Sequence, residues 1–310
     1  MAKKPKKKLL FVDTNILLDF YRSQNDAGLS LLGHLDALYD RLITTFQVEM
    51  EFKKNRHNVI AESFRALKAP DAAITPPAFL KEAKTIELMK KNQKNTTARI
   101  ARLKKRIRAV VENPPLKDPV YQAAQRLFAE QTDYNLHHGH PEVGAIKRKA
   151  WRRFITGCPP RKKSDNSIGD AINWEWILHC IAATNSDVII VSRDGDYGTA
   201  LDDFVFANFW LASEVKRINK QRKLIVFDRL SAGLKELNVK VSAAEESEED
   251  ELAEKGSLAS AIIPLSGVAG TSTVAGYSTG GLQAAASGTR PLVDSFGFRR
   301  PWDGDFSTDQ

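Results

Sequence analysis

The stretch LLFVDTN, residues 9–15, decides the fold. Leu9 to Val12 is an apolar run that stops at Asp13, the pattern of a buried parallel strand whose carboxyl end carries an acid. The chain repeats that pattern far away in VIIVSRDGDYG, residues 188–198, where Asp194 and Asp196 follow the run Val188 to Val191. Two further acidic segments lie between them: FQVEMEF, residues 46–52, with Glu49 and Glu51, and SIGDAINWEW, residues 167–176, with Asp170. In open α/β sheets, ligands bind beyond the carboxyl ends of the strands. The four segments are therefore expected to converge on one crevice.

Convergence carries an electrostatic cost. Two carboxylates about 4 Å apart repel by roughly 4 kcal/mol at an effective dielectric near 20. A bound cation offsets that repulsion, and hard oxygen donors suit Mg²⁺ or Mn²⁺. A lone Asp at a strand end is more simply an N-cap or a turn former; four such segments in one α/β pattern favour a metal site. Thr14 and Asn15 are small polar neighbours able to hold Asp13 in place. Glu51 opens an amphipathic stretch, and Asp170 precedes Ile172, Trp176, Ile177 and Ile181, which keep helical spacing. A carboxylate near a helix N-terminus gains from the dipole.

The segments VDTNILLD, FQVEMEFKKNR, IGDAINWE and VSRDGDYG, in this order, resemble the PIN domains, metal-dependent nucleases related in fold to flap endonucleases. The likeness is to the larger PIN-like proteins and covers residues 8–65 and 164–228. It implies that Asp13, Glu51, Asp170 and Asp194 bind the metal, with Asp196 as an accessory carboxylate and Glu49 competing with Glu51. It also implies a nuclease, with RNA the commoner substrate and DNA kept open. Two alternatives differ in chemistry. A haloacid-dehalogenase-like phosphatase using Asp13 as nucleophile wants a second Asp two residues on, where Asn15 stands. A nucleic-acid-binding module would keep the fold without cutting, although all four carboxylates are present.

The 310 residues suffice for one large or two small domains. Cys158 and Cys180 lack CxxC spacing, which points to a reducing, cytoplasmic setting and against a disulfide framework. The basic opening MAKKPKKKLL has too short an apolar run for a signal peptide, and no segment reaches the length of a membrane helix. The net charge of +8 hides an asymmetry: residues 241–310 hold eleven acids and four Lys/Arg, so the preceding residues carry +15. Such a body suits a polyanion, of which nucleic acid is the usual one.

The expected organisation is an α/β parallel-sheet core flanked by helices. Residues 1–70 form its first half, 71–163 a basic helical insertion, 164–242 its second half, and 243–310 a disordered tail. Within the insertion, Lys81 to Arg108 holds eleven Lys/Arg, a solvated face or a binding arm. Nearer Asp170, the residues Lys147, Arg148, Arg152, Arg153, Arg161 and Lys163 interleave with Trp151 and Phe154, a mixture that holds phosphates while a base stacks. His137, His138 and His140 lack a partner motif such as HExxH and read as an exposed loop rather than a metal site. The tail opens with EESEEDELAE and continues rich in Gly, Ser, Thr and Ala, too polar to offset ordering entropy. Near its end, Phe296, Phe298 and Trp302 suggest a docking motif for a protein partner. A homo-oligomer is also compatible with the sequence.

Overall fold

Five parallel strands set the positions of everything else: β1 (Lys8–Val12), β2 (Leu42–Thr45), β3 (Asn135–Leu136), β4 (Asp187–Val191) and β7 (Leu224–Phe227). They lie in the order β3-β2-β1-β4-β7. The computed structural model describes residues 7–261 apart from 24, 70–73, 81, 130–131, 162–166 and 203, with the backbone alone for 254–261. β4 is buried throughout and β1 in its last four residues, as strands covered on both faces must be. Their register pairs Val12 with Val191, so Asp13 and Ser192 emerge side by side. The Asp13 N–H donates to the Val191 carbonyl at 2.9 Å.

Helices cover both faces. α10 (Leu230–Glu236) backs onto Leu10, Ile189 and Val191 through Gly233, where a Cβ would stand 2.7 Å from Val191 Cγ2. It shares that side with α2 (Asp26–Asp36), α6 (Pro119–Ala129) and α11 (Ala243–Ala261). α8 (Gly169–Thr184) packs on β2 and β4 between α7 (Val143–Thr156), α9 (Phe209–Ile218) and α3 (Phe46–Ala66). α1 (Thr14–Asp19) joins β1 to this group by packing on α3. Trp174 and Trp176 of α8 are fully buried, and each indole N–H is satisfied: Trp174 donates to Glu214 Oε2 at 2.7 Å and Trp176 to the Tyr134 carbonyl at 2.8 Å. A buried indole without a partner would forfeit a hydrogen bond. These two bonds fix the helix that carries Asp170.

The structure redraws two expected boundaries. Of residues 71–163, the 3-10 turn Ala78–Leu80, α4 (Lys84–Glu112) and the short α5 (Pro114–Lys117) bury no residue. The later elements belong to the core: α6 buries Val120, Ala123, Ala124, Leu127 and Phe128, β3 extends the sheet beside β2, and α7 packs on α8. The base of α4 is tied down by Arg56 of α3, which donates to the Val110 carbonyl at 2.7 Å and pairs with buried Asp118 at 2.7 Å.

The second correction concerns the tail. Residues 243–261 are not disordered but form α11, docked on α2 and α10 with Glu245, Glu248, Glu249 and Leu252 buried. Residues 262–310, including Phe296, Phe298 and Trp302, lie outside the described residues. An antiparallel hairpin, β5 (Gly198–Leu201) and β6 (Phe204–Ala207), follows the loop after β4 that carries Asp194 and Asp196, and it is not expected from the sequence. Among the described residues, no helix is long and apolar enough to cross a membrane.

Candidate metal centre

Asp13 is at once the N-cap of α1 and the deepest acid of the crevice. Its Oδ1 accepts the Thr14 N–H at 2.7 Å, while Oδ2 accepts Asn15 Nδ2 at 2.9 Å and Ser192 Oγ at 2.5 Å. The capping and ligand readings of a strand-end Asp are therefore one arrangement. Burial pushes the Asp13 carboxyl up to about 6, against the pull of the Ser192 and Thr14 donors and with the help of the Asp194 and Glu51 charges.

Glu51 reaches the same place from α3, whose N-cap Thr45 accepts the Val48 N–H at 3.1 Å. Its Oε1 accepts Gln47 Nε2 at 2.7 Å and its Oε2 accepts Thr14 Oγ1 at 3.2 Å. Glu49 turns away and pairs with Lys53 at 2.6 Å, so Glu51 is the crevice acid. Asp170 enters in the first turn of α8. The helix approaches so closely that a Cβ on Gly169 would lie 2.4 Å from Gln47 Nε2 and 2.7 Å from Glu51 Oε1. Asp194 sits on the loop after β4, where its N–H donates to Ser192 Oγ at 3.0 Å and its Oδ1 accepts the Asp196 N–H at 3.2 Å.

Asp13, Glu51, Asp170 and Asp194 line one cavity of about 290 Å³. Carboxylate oxygens of Asp170, Asp194 and Asp196 lie within 4.8 Å of one another. The donors are all oxygen, several are negatively charged, and they surround a space open to water. That set fits a hard divalent cation. The structure thus brings together Asp13, Thr14, Asn15, Glu51, Asp170 and Asp194, and gathers Asp196 at the edge.

Several participants escaped the sequence reading. Gln47, Lys54, Asn55 and Ser167 also line the cavity. Gln47, Glu51 and Asn55 are four residues apart, so helical spacing from Glu51 was the signal that pointed to them. Ser192, which bridges Asp13 and Asp194, follows its strand as directly as Asp13 follows its own. Tyr197 is fully buried against Phe11, and among the described residues its hydroxyl has no hydrogen-bond partner. Burial first, then the charges of Asp170, Asp13, Asp194 and Glu51, hold its phenol well above the ordinary range.

The basic segment divides. Lys147, Arg148, Arg152 and Arg161 are exposed, with Lys147 over the Phe46 ring and Arg161 over Phe154. Arg153 is not a phosphate contact. It is buried, pairs with Glu175 at 2.8 Å and Glu214 at 2.9 Å, and donates to the Pro159 carbonyl at 2.6 Å. Its role is to fasten α7 to α8 and α9. Lys163 lies outside the described residues. His137 and His140 use their Nδ1 atoms to accept the N–H groups of Gly139 and Glu142, and His138 packs on Phe46.

The parallel sheet with acids gathered at its carboxyl edge defines a protein of the α/β class with a candidate metal crevice. The sequence pattern of the PIN-like domain matches residues 9–196, and the chain belongs to that family. PIN-like domains lie within a nuclease superfamily, generally cleave nucleic acid and typically employ divalent metals. Comparison with curated proteins and with solved structures returns no match.

Proposed function

We propose that this protein is a divalent-metal-dependent nuclease that hydrolyses phosphodiester bonds, with RNA preferred to DNA. The observation that carries the reading is the convergence of Asp13, Glu51, Asp170 and Asp194 on one cavity. These four would hold Mg²⁺ or Mn²⁺, with Asp196 as accessory. A divalent ion supplies two things at such a site: a water acidic enough to attack near neutral pH, and neutralisation of charge on the phosphate.

The chain's own groups do the rest. Ser192, Asn15 and the Thr14 N–H fix Asp13, and Gln47 and the Thr14 hydroxyl fix Glu51. Such supporting contacts orient ligands that would otherwise turn away from one another. Lys54 and Asn55, on the cavity wall, reach the phosphate backbone. Lys147, Arg148, Arg152, Arg161 and Lys163 would hold flanking phosphates without reading sequence. The RNA preference rests on the family resemblance, and the cytoplasmic setting on the use of cysteine.

The test is incubation of the full chain with labelled single-stranded RNA, single-stranded DNA and flap DNA, with and without Mn²⁺. Cleavage that needs the ion and is fastest on RNA supports the whole reading. Ion-dependent cleavage of DNA alone overturns the RNA preference, and absence of ion-dependent cleavage on every substrate overturns the enzyme.

A further inference from the structure

Large apolar side chains are ordinarily spent on the core. Here several are displayed together on the segment that leaves the loop of Asp194 and Asp196. Phe204 is 70 % exposed, Phe206 57 % and Phe209 85 %, with Leu201 and Trp210 also exposed. The hairpin register pairs Leu201 with Phe204 and Thr199 with Phe206, so these residues share one face. The other face turns Val205 and Ala207 onto the core. Phe209 and Trp210 continue the display at the start of α9, and the Arg217 guanidinium lies 5.4 Å from the Trp210 ring centre.

The display is fastened to the metal loop. The Asn208 N–H donates to the Tyr197 carbonyl at 2.9 Å, the Tyr197 N–H to the Asp194 carbonyl at 3.2 Å, and Asn208 Nδ2 to the Asp196 carbonyl at 3.3 Å. α9 is in turn held to α7 and α8 through Glu214, which accepts from Arg153 and Trp174. The aromatic row therefore cannot drift relative to Asp194.

We propose that Phe204, Phe206, Phe209 and Trp210 form a stacking platform for the bases of a single strand of nucleic acid that leads to the acidic crevice. This deepens the nuclease reading and rests on it. Aromatic faces accept any base, and a guanidinium beside them meets the phosphates, so binding of this kind is tolerant of sequence. Charge sets the direction: Lys216, Arg217 and Lys220 are exposed on and just after α9, whereas Asp202 stands at the hairpin tip. The backbone runs on the α9 side, and the bases lie over Phe206, Phe209 and Trp210, with Phe204 at the far end.

The experiment uses the full chain carrying Asp13→Asn, so that substrate survives, with and without the added pair Phe206→Ser and Phe209→Ser. Each protein is titrated with a fluorescent single-stranded RNA and with an abasic strand of the same length, over a range of salt. Both replaced rings are exposed, and equal melting temperatures check that the fold is kept. The platform predicts that the pair weakens binding of the base-bearing strand at least about tenfold. It predicts no change on the abasic strand and no change in the salt slope. Equal affinity of the two proteins for RNA overturns the platform alone, as does an equal loss on both strands. A shift from dimer to monomer with RNA binding intact also overturns it and assigns the row to contact between chains. Failure of the Asp13→Asn protein to bind any strand overturns the platform and the nuclease reading together.

Discussion

The crevice and α11 both bury carboxylates and treat them in opposite ways. In α11 each buried acid is met by donors. Glu249 accepts the N–H groups of Leu230 and Ser231 at 2.5 and 2.8 Å and so caps α10. Glu248 accepts from Ser23 and Asn25. Glu245 accepts from Ser30, Ser242 and His34; burial opposes its ionisation, yet these donors draw its carboxyl down to about 2. In the crevice, Asp13 also has donors, but burial, aided by the charges of Asp194 and Glu51, pushes it up to about 6. At Glu245 the donors prevail over burial, whereas at Asp13 burial prevails over the donors and the charges of Asp194 and Glu51 add to it. Acids surrounded by donors hold a fold together. The crevice acids, gathered with one another, are the ones that a cation from outside the chain would complete.

The largest expected effect separates the two regions by activity. Asp170→Asn should lower the initial rate of Mn²⁺-dependent cleavage of labelled RNA by at least about a hundredfold. Glu245→Gln should leave that rate within about twofold while lowering the melting temperature. If both variants cleave alike, the regions do not differ in the way described.

Next in size is the clasp. Removing residues 243–310 strips α10 of its cap and leaves the groups that met Glu245, Glu248 and Glu249 without partners. The loss should be about 2–5 kcal/mol in urea unfolding, and Glu249→Ala alone about 1–2 kcal/mol. An unchanged unfolding midpoint would show that α11 contributes nothing to the body.

The two regions should also respond to acid with opposite sign. Asp13 has a raised folded-state value, so its contribution is complete below its unfolded value of 3.8 and is lost as pH rises through about 6. That is on the order of 3 kcal/mol against the metal-free fold above that window. Glu245, lowered from 4.5 to about 2, contributes above the unfolded value and loses that contribution as pH falls through about 2. Unfolding measured without metal across acid pH should show the first trend flatten in Asp13→Asn and the second in Glu245→Gln. Metal affinity should fall below about pH 6, because Asp13 must release its proton to bind.

The smallest effect tests the fit of the crevice without removing a charge. Gly169→Ala forces Gln47 and Glu51 to shift, and both are ends of flexible side chains. Apparent Mn²⁺ affinity should weaken by about tenfold with the melting temperature of the metal-free protein nearly unchanged. Unaltered affinity would mean that Glu51 is not held against α8 as described.

How far each region was legible follows from where its partners lie. β1 and β4 read directly from LLFV and VIIV, because a strand covered on both faces has to be apolar throughout, and Asp13 follows one residue after the first and Asp194 three residues after the second. The family resemblance favours Glu51 over Glu49, and the facing of α3 gives the physical reason, sending one to the crevice and the other to Lys53. α11 was illegible for the opposite reason. EESEED looks unable to pack, and the partners that make it pack, Ser23, Asn25, Ser30 and His34, lie more than two hundred residues away. Arg153 sat in a basic run and took its colour, while its counter-charges Glu175 and Glu214 are supplied by other helices. β3 has two residues, too few for any periodicity, and exists by pairing with Thr44 and Thr45. The β5–β6 hairpin turns through Asp202 at φ 52° without an Asn-Gly or Asp-Gly signal, and it shows its apolar face to water.

The central claim is that the crevice acids are completed by a divalent cation. Its most direct test is a titration of Mn²⁺ into the metal-free full chain near pH 7.5, followed by the loss of free-ion signal in electron paramagnetic resonance. Saturable binding to the wild type that collapses in Asp170→Asn and survives in Glu245→Gln is the predicted result. Equal binding by wild type and Asp170→Asn, or no binding by the wild type, would contradict it.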